Sequence, residues 1–176
     1  LYDTDRSSTG FSEADTSYFR AVTVSETGHV SPLEFKPRSS TGYLHFITPV
    51  KDESAQIIGY LRARYDGRIL QSLLETNTRL LGNRSYPVLL DENGLRLADG
   101  FSPSAINHLV APISLDEYNR LIGEKRLPSQ IPFEEIVIPQ ADLAEALTGF
   151  ADTGFFTANL DVLDDQIAHS GARLPS

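Results

Sequence analysis

Gly42-Tyr43-Leu44-His45-Phe46-Ile47-Thr48-Pro49-Val50-Lys51-Asp52, continued by Gln56-Ile57-Ile58-Gly59-Tyr60, reads as an extended run, a short acidic turn and a returning extended run. The same order recurs as Gly154-Phe155-Phe156-Thr157-Ala158-Asn159-Leu160-Asp161-Val162-Leu163-Asp164, then Gln166-Ile167-Ala168. Each copy opens on glycine and an aromatic residue, and each turns on acidic residues. Two such hairpins in one chain point to a tandem of two modules. From Gly42 to Gly154 the copies are offset by 112 positions.

Working outward from the first hairpin, Val50 to Ala55 supplies its turn, and its strands fall at 41–50 and 56–66. The run Ile57-Ile58-Gly59-Tyr60-Leu61 is apolar on successive positions, as in a strand covered on both faces. Asp66-Gly67 then opens a helix that places Ile69, Leu70, Leu73, Leu74, Leu80 and Leu81 on one face, and Gly82 ends it. Upstream, the Asp-, Ser- and Thr-rich residues 1–15 read as irregular. Asp15 caps a short helix carrying Tyr18, Phe19, Ala21 and Val22, and residues 28–40 read as a loop.

Downstream, residues 86–91 and 95–98 form a hairpin across Asn93-Gly94, a pair suited to positive backbone φ. Ser102-Pro103 starts a short helix. Ser114-Leu115-Asp116-Glu117 is a capping box for a helix through Ile122. A loop holding Pro128 and Pro132 leads to the apolar stretch 136–138, and a helix over 141–147 precedes the last hairpin, 154–174. Hairpin-connected strands with helices between them predict an α+β fold with antiparallel sheets.

Bulk composition narrows the function. With 24 acidic against 15 basic residues the net charge is −9, which disfavours a nucleic-acid partner. The absence of cysteine excludes disulfides and thiolate metal sites. No run reaches the roughly 20 apolar residues of a membrane span, and no signal peptide is present. Neither Leu1 nor Ser176 looks like a natural terminus, and the chain is read as a soluble piece of a larger protein.

Catalytic patterns are missing. His29, His45, His108 and His169 form no H-x-x-x-H pair, and no G-x-S-x-G elbow or phosphate-cradling glycine loop occurs. A hydrolase using His169 and Ser170 is the least supported reading. The Asp161, Asp164 and Asp165 turn lacks calcium-loop spacing, and Asn83-Arg84-Ser85 matches a common glycosylation pattern. The sequence implies no enzyme activity, no catalytic residue, no metal and no cofactor.

Taken with the hairpin, Asp15-Thr16-Ser17-Tyr18-Phe19-Arg20-Ala21 and the sequence Thr41-Gly42 … Pro49-Val50-Lys51-Asp52 … Ile57-Ile58-Gly59-Tyr60-Leu61 … Tyr65-Asp66 resemble the bacterial double Cache sensor domains, extracytoplasmic relatives of PAS domains. Val88-Leu89-Leu90-Asp91-Glu92-Asn93-Gly94 resembles the first hairpin of such a module. The resemblance implies two PAS-like modules, each an antiparallel sheet flanked by helices. Residues 1–75 would form a membrane-distal module, 76–84 a connecting helix end or linker, and 85–176 a membrane-proximal module. In the first module the equivalent of the 88–97 hairpin falls before Leu1, so that module is expected to lack its N-terminal strands.

The resemblance also implies a function. Such domains lie between two membrane spans of a receptor, on the extracytoplasmic side, and bind small solutes. They relay a conformational change to a cytoplasmic kinase, cyclase or chemotaxis output. The implied ligand-binding residues are Tyr18, Phe19 and Arg20 from the helix, Tyr43 and His45 from the strand, and Asp66 from the hairpin end. Arginine clamps a carboxylate, aspartate holds an amine and aromatics wall the pocket, so the implied ligand is an organic acid or an amine-containing solute.

Each of these residues has a plainer reading: Tyr18 and Phe19 as core, Arg20 as a surface cation, Asp66 as a helix N-cap, and Tyr43 or His45 as filling. Where amino-acid-binding members carry arginine, two residues before the aromatic pair, this chain has Thr16. The rival function is a ligand-free relay or dimerisation module, with the 69–81 helix, or the N-terminal helix that the resemblance places before Leu1, as the pairing surface of a homodimer.

Overall fold

A computed structural model describes residue 10, residues 12–25, 27–77 and 86–148, and the backbone of 155–160 and 167–172. Leu80, Leu81, Gly82, the 83–85 pattern, most of the 1–15 segment's first residues and the 161–166 turn lie outside the described residues, as do the side chains of His169 and Ser170. The fold is α+β with antiparallel strands. Its elements are α1 (Ser17–Ser25), β1 (His29–Val30), β2 (Glu34–Phe35), β3 (Gly42–Lys51), β4 (Ile57–Asp66), α2 (Arg68–Thr76), β5 (Val88–Leu90), β6 (Arg96–Asp99), a 3₁₀ turn (Pro103–Ala105), α3 (Leu115–Gly123), α4 (Ala141–Thr148), β7 (Phe155–Leu160) and β8 (Ile167–Ala172). Among the described residues no helix is long and apolar enough to cross a membrane.

The chain divides into two units, residues 1–34 with 43–66 and residues 35–42 with 67–176. The first is built on the β3–β4 hairpin, paired from Tyr43↔Asp66 to Lys51↔Ile57 with a register shift at Val50/Lys51. Its turn is held by Asp52, whose Oδ1 accepts from the Ser54 and Gln56 N–H groups at 2.8 and 2.9 Å. β1 and β2 pair with β3, so the segment expected to be a loop contributes two short strands to a four-stranded sheet.

Strand alternation gives the sheet two unlike faces. Ile47 lies in a core with Tyr18 and Val22 of α1, against which Phe19 and Tyr60 pack. The opposite face carries Phe46, Leu61 and Tyr65, all exposed. β4 is therefore not covered on both sides as its apolar run predicts: Leu61 on the far face is 63% exposed, and Ile58, which shares the face of Tyr60, is itself 67% exposed. An antiparallel hairpin needs only one buried face, and α1 covers only one.

α1 begins after Thr16, whose carbonyl accepts from Arg20 N–H at 3.1 Å. The expected cap, Asp15, instead directs an exposed carboxylate at Arg20.

The second unit holds the β5–β6 hairpin. Only Gly94 of the predicted Asn93-Gly94 pair has positive φ, +76°. The turn is instead organised by Asp91, whose Oδ1 accepts from the Asn93 and Leu95 N–H groups at 2.9 Å each. Residues 107–110 run beside β6: Arg96 N–H donates to His108 C=O at 3.0 Å and Val110 N–H to Gly94 C=O at 3.0 Å. On their other side Leu109 N–H donates to Ile136 C=O at 2.8 Å, which gives the apolar stretch 136–138 its place. Leu95, Leu109, Leu121, Leu127 and Ile136 fill this core.

Ser114 caps α3 as predicted, accepting from Glu117 N–H at 3.1 Å. Only half of the capping box forms, because the Glu117 carboxylate turns to Arg120. α4 buries Leu143 against Val110.

α2 is amphipathic, yet no residue on it is buried, and Ile69 and Leu73 are exposed. Its anchor is polar. Gln71 Oε1 accepts from Asp99 N–H at 2.9 Å and its Nε2 donates to Asp99 C=O at 3.2 Å, so one side-chain amide continues the ladder of β6. The α2 N-cap is Gly67, with no side-chain cap bond. Asp66 is still the last residue of β4 and does not cap the helix. Among the described residues β5–β6 and β7–β8 are separate two-stranded sheets.

Candidate functional site

Helical periodicity decides which α1 side chains meet the sheet. Tyr18 and Val22, four apart, face inward, whereas Arg20 lies about 200° around the helix from Tyr18. Arg20 is 68% exposed and meets the fully solvated Asp15 at 3.4 Å, so it stands apart from the other candidates. Phe19 is half-buried with its ring edge-on to Tyr60 at 5.0 Å.

On β3 the period-two rule places Tyr43, His45 and Ile47 toward α1. The register sets Arg64 opposite His45 and Arg62 opposite Ile47, on the same face. His45 is 8% exposed and its imidazole stacks on the Tyr18 ring, centroids 4.3 Å apart and planes 20° apart. The Arg62 guanidinium lies over the other reach of the Tyr18 ring at 5.7 Å, and Arg64 lies over Tyr43 at 5.2 Å. Asp66 sits half-buried opposite Tyr43 at the end of the hairpin.

The centre of the cluster is a carboxylate that sequence reasoning missed. A turn from Glu13 to Thr16, closed by Thr16 N–H and Thr16 Oγ1 donating to Glu13 C=O at 3.0 and 2.7 Å, sets Glu13 beside α1. Arg62 Nη1 donates to Glu13 Oε2 at 2.6 Å and to Tyr18 Oη at 2.8 Å, while the Tyr18 hydroxyl donates to Glu13 Oε2. Burial and the Glu13 hydrogen bond push the Tyr18 phenol up, which keeps it protonated and donating. Glu34 is tied to the start of α1, accepting from Ser17 Oγ at 2.6 Å. Ser31 brackets His45: its Oγ accepts from His45 N–H at 3.0 Å and its own N–H donates to His45 C=O at 2.8 Å.

His45 Nδ1 is buried with no hydrogen-bond partner among the described residues. Burial pushes its titration below the ordinary imidazole range, Glu34 opposes that shift, and Arg62 and Arg64 add to it, with Glu13 a smaller opposing charge. The ring is therefore neutral at pH 7. Because the unfolded chain binds the proton more readily, stability falls as pH drops below about 6.5 and is retained above it. Urea midpoints measured between pH 7.5 and 5 should fall more steeply for the native sequence than for His45→Phe, which keeps a stacking ring without a titrating nitrogen. Parallel slopes would remove His45 from the acid sensitivity of the fold.

The structure thus gathers Tyr18, Phe19, Tyr43 and His45 on one face, with Asp66 at its end, and leaves Arg20 on the surface. Glu13, Ser31, Glu34, Arg62 and Arg64 complete the face. The two arginines had a signal, since hairpin register alone puts them beside His45 and Ile47. Glu13 had none, because its partner is 49 residues away. Among the described residues no group of three or more histidine or acidic side chains is placed to hold a metal ion.

Chemically, the face offers aromatic walls, one neutral imidazole and a guanidinium with a phenol aimed at a single carboxylate. No family model, curated protein or solved structure matches the chain.

Proposed function

We propose that the chain is the small-molecule-sensing portion of a transmembrane signalling protein of the histidine kinase, nucleotide cyclase or chemoreceptor type, on the extracytoplasmic side of the membrane, built from two PAS-like modules. The observation that carries this reading is the half-buried polar face between α1 and the β3–β4 hairpin. There Tyr18, His45, Arg62 and Glu13 converge, with an imidazole nitrogen left without a partner among the described residues. Such a concentration of hydrogen-bonding groups is costly where packing alone is needed, and useful where a solute is recognised. The Cache-like pattern over Asp15–Ala21 and the hairpin supports the same assignment.

Sensing requires that the solute favour one placement of α1 on the sheet over another, because only differential affinity shifts an equilibrium. A thermal-shift screen of small carboxylates, amino acids and amines tests this. A ligand at 100 times its dissociation constant adds about 2.7 kcal/mol of stability, and Arg62→Gln should erase the response. A response to no compound, or one that survives Arg62→Gln, counts against the site.

The rival reading, a relay or dimerisation module without a ligand, rests on the exposed Ile69 and Leu73 of α2. It predicts a mass that rises with concentration and falls back for Leu73→Lys.

A further inference from the structure

The geometry points to Glu13 as a built-in competitor: its carboxylate occupies the place a ligand carboxylate takes, and a small organic acid binds by displacing it from Arg62 and Tyr18. This rests on the ligand-sensing reading above and narrows it to one ligand class, carboxylate anions, and one switching element, the Glu13–Thr16 turn.

The argument starts from the donors. Arg62 Nη1 and the Tyr18 hydroxyl converge on one oxygen, Glu13 Oε2, with the arginine bond at 2.6 Å. A charged donor and a phenol aimed at one oxygen form a carboxylate-recognition pair. The pair comes from β4 and α1, elements fixed by the ladder and by the Tyr18–Val22–Ile47 core.

The acceptor comes from outside both. Glu13 precedes α1 on a turn closed by Thr16, so it can leave without dismantling the sheet or the helix. Its position is also reachable. The Glu13 and Arg62 side chains are 21% and 22% exposed, whereas the Tyr18 ring and His45 beneath them are buried. A solute approaching from water meets the ion pair first.

Once Glu13 swings out, an incoming carboxylate inherits both donors, and the aromatic surface of Tyr18 is already in place beneath it. The consequence for signalling is mechanical. Exchange frees the Glu13–Thr16 turn at the start of α1, so occupancy is coupled to the placement of that helix. A tethered carboxylate competes at an effective concentration on the order of mM. The native protein should therefore respond weakly to the simplest acids, and removal of the competitor should unmask them.

The experiment uses the whole chain and sodium acetate as the probe, with sodium chloride matched for ionic strength. Glu13→Ala should lower the melting temperature, and acetate should restore it along a saturable curve with at least tenfold tighter apparent binding than the native protein shows. Glu13→Gln, which keeps the side-chain shape but only a neutral acceptor, should show a smaller tightening in the same direction and serves if Glu13→Ala does not fold. Glu13→Ala combined with Arg62→Gln should respond to acetate no more than to chloride. The idea is overturned if acetate and chloride act alike on both Glu13 variants, or if the double variant is rescued as well as the single one. A native protein that answers no compound in the screen, while Glu13→Ala binds acetate, would count against the sensing reading and leave the displacement standing.

Discussion

Replacing Asp99 with alanine is expected to destabilise the second unit by about 3–5 kcal/mol, the cost of leaving a buried cation without its carboxylate. Arg96 is fully buried, its Nε 3.6 Å from Asp99 Oδ2 and its two terminal nitrogens each 3.3 Å from Ile138 C=O. These contacts are long, and Nε has no hydrogen bond among the described residues. Burial pulls the guanidinium below its ordinary value, and Asp99 is the charge that opposes this. Asp99 also accepts from the Phe101 and Ser102 N–H groups at 2.9 and 2.7 Å, so alanine strands two backbone donors as well.

Asparagine separates the two roles. Asp99→Asn keeps an acceptor for the turn but removes the charge, and should cost less than alanine. Adding Arg96→Met to Asp99→Asn removes the unpaired cation and should recover most of the remaining loss, since apolar replacements of buried pairs are often neutral. Guanidinium denaturation of the four proteins measures each step. A loss under about 1 kcal/mol for Asp99→Ala would mean that Arg96 repairs itself elsewhere.

The parts of this fold that were legible in the sequence are those fixed by neighbours along the chain. The first hairpin, expected over 41–50 and 56–66, occupies Gly42–Lys51 and Ile57–Asp66 because its alternation and its Asp52 turn are local signals. The Ser114 cap and the helix over 141–147 were readable for the same reason.

What was not legible depends on partners far away. His29–Val30 and Glu34–Phe35 are strands only because β3 lies beside them, and two residues carry no period. Residues 107–110 lie beside β6 through backbone bonds to 94–96 and 136, without any run of strand formers. The apolar run of β4 and the apolar face of α2 misled in the opposite direction. Periodicity shows which residues share a face but not whether anything covers it, and Leu61 and Leu73 are exposed.

The site divides along the same line. Tyr18, Tyr43 and His45 fall on facing elements whose periods are short. Arg20, next in sequence to the aromatic pair, is turned away by the helical repeat. Asp66 was readable as the hairpin's end, but its role as a cap was not realised, because the strand ladder with Tyr43 extends through it. Glu13 lies before α1 in a segment with no periodicity and is recruited by an arginine on a strand 49 residues later.

Tyr18→Ala should have the largest effect in the first unit, about 3–5 kcal/mol, as for other buried aromatics cut to alanine. Three separate losses add to it. The ring is the inner wall of the core with Val22 and Ile47. It is also the stacking partner that shields His45, and its hydroxyl is the donor that, with Arg62, holds Glu13. Tyr18→Phe isolates the last of these. It keeps the core and the stack, and should cost about 1.5–3 kcal/mol, the net worth of one hydrogen bond to a charged partner.

The two variants should also part in their response to solutes. Tyr18→Phe takes one donor from Glu13 and from an incoming carboxylate alike, so acid binding should change little in the native background and should weaken in the Glu13→Ala background, where no tethered carboxylate competes. Urea denaturation and carboxylate titration on the same samples give both quantities. If Tyr18→Phe destabilised the protein as much as Tyr18→Ala, the hydroxyl and not the ring would be holding α1 to the sheet, and the polar contact with Glu13 and Arg62 would outweigh the apolar core.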